Sequence, residues 1–260
     1  MTAENNNTVY VVTGANRGIG LGLVQTLLSR PSITVVASVR NDGAATSLKS
    51  NTDSVTKGEN SSLIIIKLDF STALAPEQIR DAFTVDHVDV LVNNAAFSPP
   101  MTLAAETPAD NLRAAFETNT IGPLTVFQGL WPLLQKSAAP KVINVTSSVG
   151  CITIQEGPGG AYGPSKAALN WLTRALHMQN QGLVAVALHP GWVQTRMGEL
   201  CARDWGFPGS PPKTIEGSVE GMLQIIDEAT REKYSGKFVT YKGLLLPFPF
   251  LPLFIIFLTR

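Results

Sequence analysis

Cysteine is scarce in this chain. Cys151 and Cys201 are the only two among 260 residues, too few for a disulfide framework and suited to free thiols in a reducing compartment. Charge is scarce as well: 15% of residues are charged, twenty basic against twenty acidic, for a formal net charge of zero. That balance excludes a broad basic surface and gives no electrostatic reason to expect nucleic acid as a partner. His87, His177 and His189 stand singly, with no metal-ligand spacing around them, so no metal is expected and the three are read as structural. Internal repeats and linker-like stretches are absent, which points to a single domain. Residues 1–7 lack the basic start and apolar run of a signal peptide, and the expected location is cytoplasmic.

Apolar residues are plentiful. At 44% hydrophobic, the chain can bury a large core and is too apolar to be disordered. Seven short apolar, β-branched runs read as strands, over residues 8–13, 33–39, 63–68, 88–92, 141–146, 183–188 and 237–241. Helical patterns separate them, including residues 76–83, one long stretch over 107–135 expected to kink at Gly122-Pro123, the segment after Tyr162, and an apolar face of Val219, Met222, Leu223 and Ile226. Residues 41–62 read as a weak helix and a solvated loop. Alternating strands and helices predict an α/β, Rossmann-type doubly wound fold: a seven-stranded parallel sheet flanked by helices. The domain is expected over 1–243. A long loop over 197–213, carrying Trp205, Phe207 and three prolines, reads as a lid.

The first strand runs straight into Gly14-Ala15-Asn16-Arg17-Gly18-Ile19-Gly20 and then a helix. Strand, glycine-rich turn and helix together suit a dinucleotide pyrophosphate. Gly14 permits the turn, Gly18 lets the backbone approach the phosphates, and Gly20 lets helix and strand pack closely. The second strand ends in Ser38-Val39-Arg40, without the acid that usually accepts from a ribose 2′-hydroxyl. Arg17 and Arg40 instead suit a 2′-phosphate, which predicts NADPH/NADP+ as cofactor. Asp69, at the end of the third strand, is placed either near the adenine or as a cap for the next segment. Asn93-Asn94-Ala95-Ala96 ends the fourth strand with small residues and amides, where the backbone passes something flat.

In Ala161-Tyr162-Gly163-Pro164-Ser165-Lys166, Tyr162 and Lys166 are four residues apart and share one helix face. An ammonium beside a phenol favours the phenolate, which predicts a lowered tyrosine pKa and a usable acid–base group. The same spacing also occurs where a tyrosine merely lies on an aliphatic lysine stem, and the pair alone does not decide between them.

Taken with Asn119, Asn144-Val145-Thr146-Ser147 and Pro190-Gly191, these motifs follow the order of the short-chain dehydrogenase/reductase family, which the chain resembles over nearly its whole length. Gly191-Trp192-Val193-Gln194-Thr195, Asp227-Glu228-Ala229-Thr230 and Ser235-Gly236-Lys237-Phe238-Val239 carry a closer likeness to ketoreductases of aromatic polyketide pathways. The resemblance implies that Tyr162 is the proton donor, that Lys166 holds the nicotinamide ribose and depresses the tyrosine pKa, and that Asn119 kinks its helix and holds a relay water. It makes Ser147 the active serine, with Ser148 the fallback, and gives Pro190, Gly191, Val193 and Thr195 the nicotinamide. Gly14, Asn16, Arg17, Gly18, Ile19, Gly20, Arg40, Asp69, Asn93 and Ala95 complete the cofactor site.

The implied reaction is NADPH-dependent reduction of a ketone on a bulky apolar or aromatic substrate. The alternatives are a regulatory protein keeping the fold without the chemistry, or an alcohol dehydrogenase working oxidatively. A homodimer or homotetramer is expected by analogy. Ala96 departs from the family's more frequent glycine, and residues 244–258 form a tail of apolar residues and proline. Proline breaks that tail before it reaches a bilayer span, and packing against the domain or a partner subunit is expected ahead of contact with a membrane surface.

Overall fold

A computed structural model describes residues 7–155 and 157–247. Its strands are β1 (Thr8–Thr13), β2 (Ile33–Val39), β3 (Ser62–Lys67), β4 (Val90–Asn93), β5 (Lys141–Val145), β6 (Val184–His189), β7 (Phe238–Thr240) and β8 (Leu245–Leu246). They form one sheet in the order β3-β2-β1-β4-β5-β6-β7-β8. All pairings are parallel except β7 with β8. The seven-stranded parallel sheet expected from the sequence is thus corrected to eight strands, the last antiparallel. Two leucines after a glycine turn carry no periodic signal, yet Gly243 at φ 79° reverses the chain and lets Leu245 and Leu246 pair back on Val239 and Phe238. Residues 248–258 of the apolar tail lie outside the described residues.

The helices are α1 (Gly18–Leu28), α2 (Asp42–Thr52), α3 (Pro76–Asp81), α4 (Ala109–Phe116), α5 (Gly122–Leu134), α6 (Tyr162–Gln179), α7 (Arg196–Asp204) and α8 (Ile215–Glu228). Alternate residues of each strand point to opposite faces, so both faces of a doubly covered sheet must be apolar. Tyr10, Val12, Val35 and Ala37 pack with Leu23 and Leu27 of α1, Leu48 of α2 and Met222 of α8. Val9, Val11 and Val36 pack on the other side with Ile79 of α3, Phe127 and Leu130 of α5 and Leu176 of α6. Truncating a fully buried leucine such as Leu23 or Leu130 to alanine costs about 2–5 kcal/mol. Among the described residues no helix is long and apolar enough to cross a membrane.

The stretch expected as one kinked helix is α4, a π-helical turn over Glu117–Ile121, and α5. Pro123 has no N–H to give the carbonyl of residue 119, and Gly122 donates instead to Glu117, five residues back. The irregularity therefore lies N-terminal to the proline, at Asn119 itself. A second difference lies at 197–213, which opens with α7 instead of a loop. Thr195 caps that helix by accepting from the Gly198 N–H at 3.1 Å.

Candidate active site

In the strand order the chain reverses direction between β1 and β4, and at such a point the loops at the carboxyl ends of the strands part to leave a crevice. The glycine turn stands on one side. Gly14 has φ 65° and Gly18 φ 55°, both in the left-handed region. A Cβ on Gly20 would lie 2.3 Å from the Gly14 carbonyl oxygen, so only hydrogen fits where α1 meets the turn. The N-terminus of α1 has no side-chain cap and no acid in its first turn, leaving N–H groups and the positive end of the helix dipole open to an anion. Arg17 is exposed at the N-cap and Arg40 is exposed just beyond β2. Asn16 and Ile19 are half-buried, and Ile19 packs on the core.

The loop after β4 closes against this turn. Thr13 Oγ accepts from the Asn94 and Ala95 N–H groups, each at 3.0 Å, and Asn94 Nδ2 donates to the Thr13 and Gly14 carbonyls. Ala95 Cα sits 2.8 Å from where a Gly14 Cβ would be. Behind it a buried polar chain crosses the sheet. Asn93 Nδ2 donates to Asn144 Oδ1 at 2.9 Å, and Asn144 Nδ2 donates to Thr173 Oγ1 at 2.8 Å. Asn93 Oδ1 and Ser38 Oγ are buried at the crevice end of the sheet without a partner among the described residues. Asp69 accepts from the Ser71 N–H and hydroxyl, which, with Arg40 nearby, hold its carboxyl below the usual range. That bonding matches the capping alternative; the side chain is exposed.

On the far side, the segment after β6 completes the walls. Gly191 has φ 86° beside the Tyr241 ring, the Pro190 carbonyl accepts from Ser218 Oγ at 2.7 Å, and Val193 is buried. Thr195 reaches the glycine turn, its methyl 3.3 Å from where a Gly18 Cβ would be. The crevice therefore offers a backbone cradle, a free helix N-terminus, two exposed guanidiniums and orphaned buried acceptors. Those features fit a dinucleotide with a further phosphate.

Tyr162 and Lys166 begin α6 beneath this crevice, and both are buried. Lys166 Nζ donates to the Val145 carbonyl at 2.8 Å and lies 5.7 Å from the Tyr162 ring centroid. The electrostatics differ from the expectation of a lowered tyrosine pKa. Burial raises the Tyr162 phenol well above its ordinary value, a hydrogen bond from Ser147 offsets part of the rise, and Cys201 adds to it. Burial also lowers Lys166 to about 7. Residue spacing shows adjacency, whereas the sign is set by loss of water around both groups, and here desolvation wins.

Ser147 offsets part of the rise at Tyr162, and its Oγ accepts from the Val149 N–H at 3.2 Å. Its neighbour Ser148 is buried, and its N–H donates to His189 Nδ1 at 3.4 Å. His189 is held neutral by burial, its pKa pushed down to about 4, so it props the serine loop as an acceptor. Asn119 is fully buried and ties three segments together. Its Oδ1 accepts from the Phe97 N–H at 2.7 Å, and its Nδ2 donates to the Phe97 carbonyl at 2.8 Å and to Ser165 Oγ at 2.9 Å. Ser165 in turn donates to the Tyr162 carbonyl at 2.7 Å.

Over the phenol lies an apolar cluster of Met101, Cys201, Val149, Trp192, Met197 and Trp205. Trp192 meets Trp205 at 5.6 Å between ring centroids and Phe207 at 4.7 Å. Trp205 Nε1 donates to the Pro158 carbonyl at 3.0 Å. A cleft of 460 Å³ opens between these rings and Gly157–Pro158. His189 has the structural place expected of it, whereas Thr13, Met101 and Asp204 have structural or lining roles that sequence reasoning missed. Thr13 borders a motif that could have flagged it; Met101 and Asp204 carry no local signal.

A family model described as short chain dehydrogenase matches residues 8–204. The chain is 38% identical over 255 residues to norsolorinic acid ketoreductase nor1 of Dothistroma septosporum, covering 94% of each. It is 39% identical to norsolorinic acid ketoreductase of Aspergillus parasiticus, covering 90% of this chain and 88% of that one. Among solved structures, an NADPH-bound carbonyl reductase from chicken fatty liver superposes with a TM-score of 0.78 at 30% identity, over 93% of this chain and 99% of that one. The carbonyl reductase Sniffer of D. melanogaster gives 0.77 at 29%, with the same coverage.

Proposed function

Because the chain belongs to the short-chain dehydrogenase family, we propose that it is a ketoreductase that uses NADPH to reduce a ketone on a bulky, aromatic, polyketide-like substrate. The observation that carries this reading is the buried Tyr162 phenol, with Ser147 against it and Lys166 one helical turn away. The glycine turn, the α1 N-terminus and Ala95 would hold the dinucleotide, with Arg17 and Arg40 on its 2′-phosphate and Pro190, Gly191, Val193 and Thr195 beside its nicotinamide. When bound, NADPH supplies hydride to the carbonyl carbon.

The protein's own groups then handle charge and proton. Burial keeps Tyr162 protonated at neutral pH, which is the form a reduction needs. Tyr162 gives its phenolic proton to the carbonyl oxygen while the Ser147 hydroxyl donates a hydrogen bond to that oxygen. Removing one such donor costs about 2.7–4 kcal/mol of barrier in comparable sites. The phenolate left behind is buried, and Lys166 in its protonated form supplies the countercharge. Asn119 acts through its ties to Phe97 and Ser165, which hold the α6 N-terminus against the loop after β4. The aromatic lid over the site favours flat apolar rings. Association as a homodimer or homotetramer and a cytoplasmic location belong to the same reading.

The test is loss of NADPH absorbance with a panel of aromatic and polycyclic ketones. Tyr162→Phe is expected to lower kcat by at least about a thousandfold while leaving NADPH affinity, read by fluorescence titration, within about twofold. A Tyr162→Phe protein that still turns over at a comparable rate would exclude this mechanism.

A further inference from the structure

Among the described residues lining the aromatic cleft, Asp204 is the one charged side chain. It ends α7, where the residue as a whole is exposed and its side chain is 19% exposed. Oδ2 accepts from the Met101 N–H at 2.9 Å, which fixes the carboxylate's orientation. Among the described residues Oδ1 has only the exposed Arg203 guanidinium, at 3.9 Å, too far for a hydrogen bond. The walls around it are Trp192, Trp205, Phe207, Gly157 and Pro158, and the indole donor of Trp205 is already taken by the Pro158 carbonyl. The cleft therefore presents flat apolar walls and one oriented, unspent acceptor carrying negative charge. A bare hydrocarbon ring system leaves that acceptor without a partner, and an anionic one meets like charge. A neutral ring hydroxyl satisfies it with a charge-assisted hydrogen bond, about twice as strong as a neutral one.

We infer that Asp204 is a specificity-determining residue that accepts a hydrogen bond from a free hydroxyl on the aromatic system of the ketone. The inference rests on the reductase reading above and deepens it: the substrate class is hydroxylated aromatic ketones, with etherified and carboxylated analogues discriminated against. Asp204 also orients Met101, which packs over Tyr162, so a purely positioning role is the competing account. Asp204→Asn separates the two, because an amide oxygen still accepts from the Met101 N–H while the charge is gone.

The experiment measures kcat/KM with NADPH for a hydroxyacetonaphthone, its methyl ether and the corresponding carboxylate, in the full-length wild type and Asp204→Asn. Melting temperatures of the two proteins check the fold. Wild type is expected to favour the hydroxyl compound over the ether at least tenfold and to leave the carboxylate essentially unreduced. Asp204→Asn should shrink the first ratio several-fold and admit the carboxylate, a gain that a mere positioning role does not produce. Equal ratios in both proteins, or a uniform loss on all three ketones, would overturn the Asp204 assignment while leaving the reductase reading intact. No turnover of any of the three by wild type would sink both.

Discussion

Burying the Lys166 ammonium behind the Val145 carbonyl removes it from water for the sake of its place beside Tyr162. Its pKa falls from 10.5 to about 7. Between those values the unfolded chain binds a proton that the native protein sheds, so stability rises with pH across the window. Below about 7 both states are protonated and the desolvation cost stands in full. Lys166→Met is accordingly expected to be inactive yet more stable than wild type at about pH 6, by roughly 1–3 kcal/mol once the lost bond to Val145 is subtracted. That margin should close as pH is raised. Urea titrations at two pH values would show it, and a lysine variant less stable at both would mean that the ammonium pays its way structurally. Arg40 sits at the opposite, solvated end of the crevice. Arg40→Asp replaces a phosphate-gripping fork with a group that repels phosphate and accepts from a 2′-hydroxyl. The ratio of kcat/KM for NADPH over NADH should fall at least about tenfold, and an unaltered ratio would assign the phosphate to another group.

The π turn over Glu117–Ile121 shows how one imino acid shapes an element. With the Pro123 donor missing, the helix widens one turn upstream and directs Asn119 toward Phe97 and Ser165. Asn119→Ala removes three hydrogen bonds at once, one buried and two part-buried, and takes their partner from the Phe97 N–H and carbonyl. The expected loss is about 2–4 kcal/mol in chemical denaturation, with kcat falling further than NADPH affinity. A loss under about 0.5 kcal/mol would mean that packing, not this amide, joins the segments. The proline itself was legible in the sequence, as were the glycine turn and the β-branched strands, because each depends on local backbone chemistry. The position of the defect was not, since it follows from which carbonyl loses its donor. Helix α7 was hidden for a similar reason: Pro208, Pro211 and Pro212 dominate the segment's composition but fall after the helix has ended at Asp204. Antiparallel β8, only two residues long, depends on tertiary pairing that no periodicity announces. The rise of the Tyr162 pKa is not written in residue spacing, because solvent exclusion is a property of the assembled site.

Across the whole molecule, acid sensitivity follows from the same choice of what to bury. His189 ends β6 at the crevice, where burial lowers its pKa from 6.5 to about 4. Between those values the unfolded chain holds a proton that the native state refuses, so stability is lost as pH falls through the window and is fully regained above about 6.5. The size of this contribution has a ceiling of about 3 kcal/mol, from 1.36 kcal/mol per unit. Asp69 and Glu228, both held below their ordinary values, by Ser71 and by Lys233 respectively, push in the same direction at still lower pH. The oppositely placed Lys166 has no slope there, because it is protonated in both states. His189→Gln retains a side-chain acceptor for the Ser148 N–H but carries no titrating group. Wild type should therefore lose stability steeply between pH 6.5 and 4.5, and His189→Gln should lose it more shallowly over the same interval, by denaturant midpoints at constant ionic strength. Parallel curves for the two proteins would show that the acid limb is set by surface carboxylates and not by the imidazole under the active-site loop.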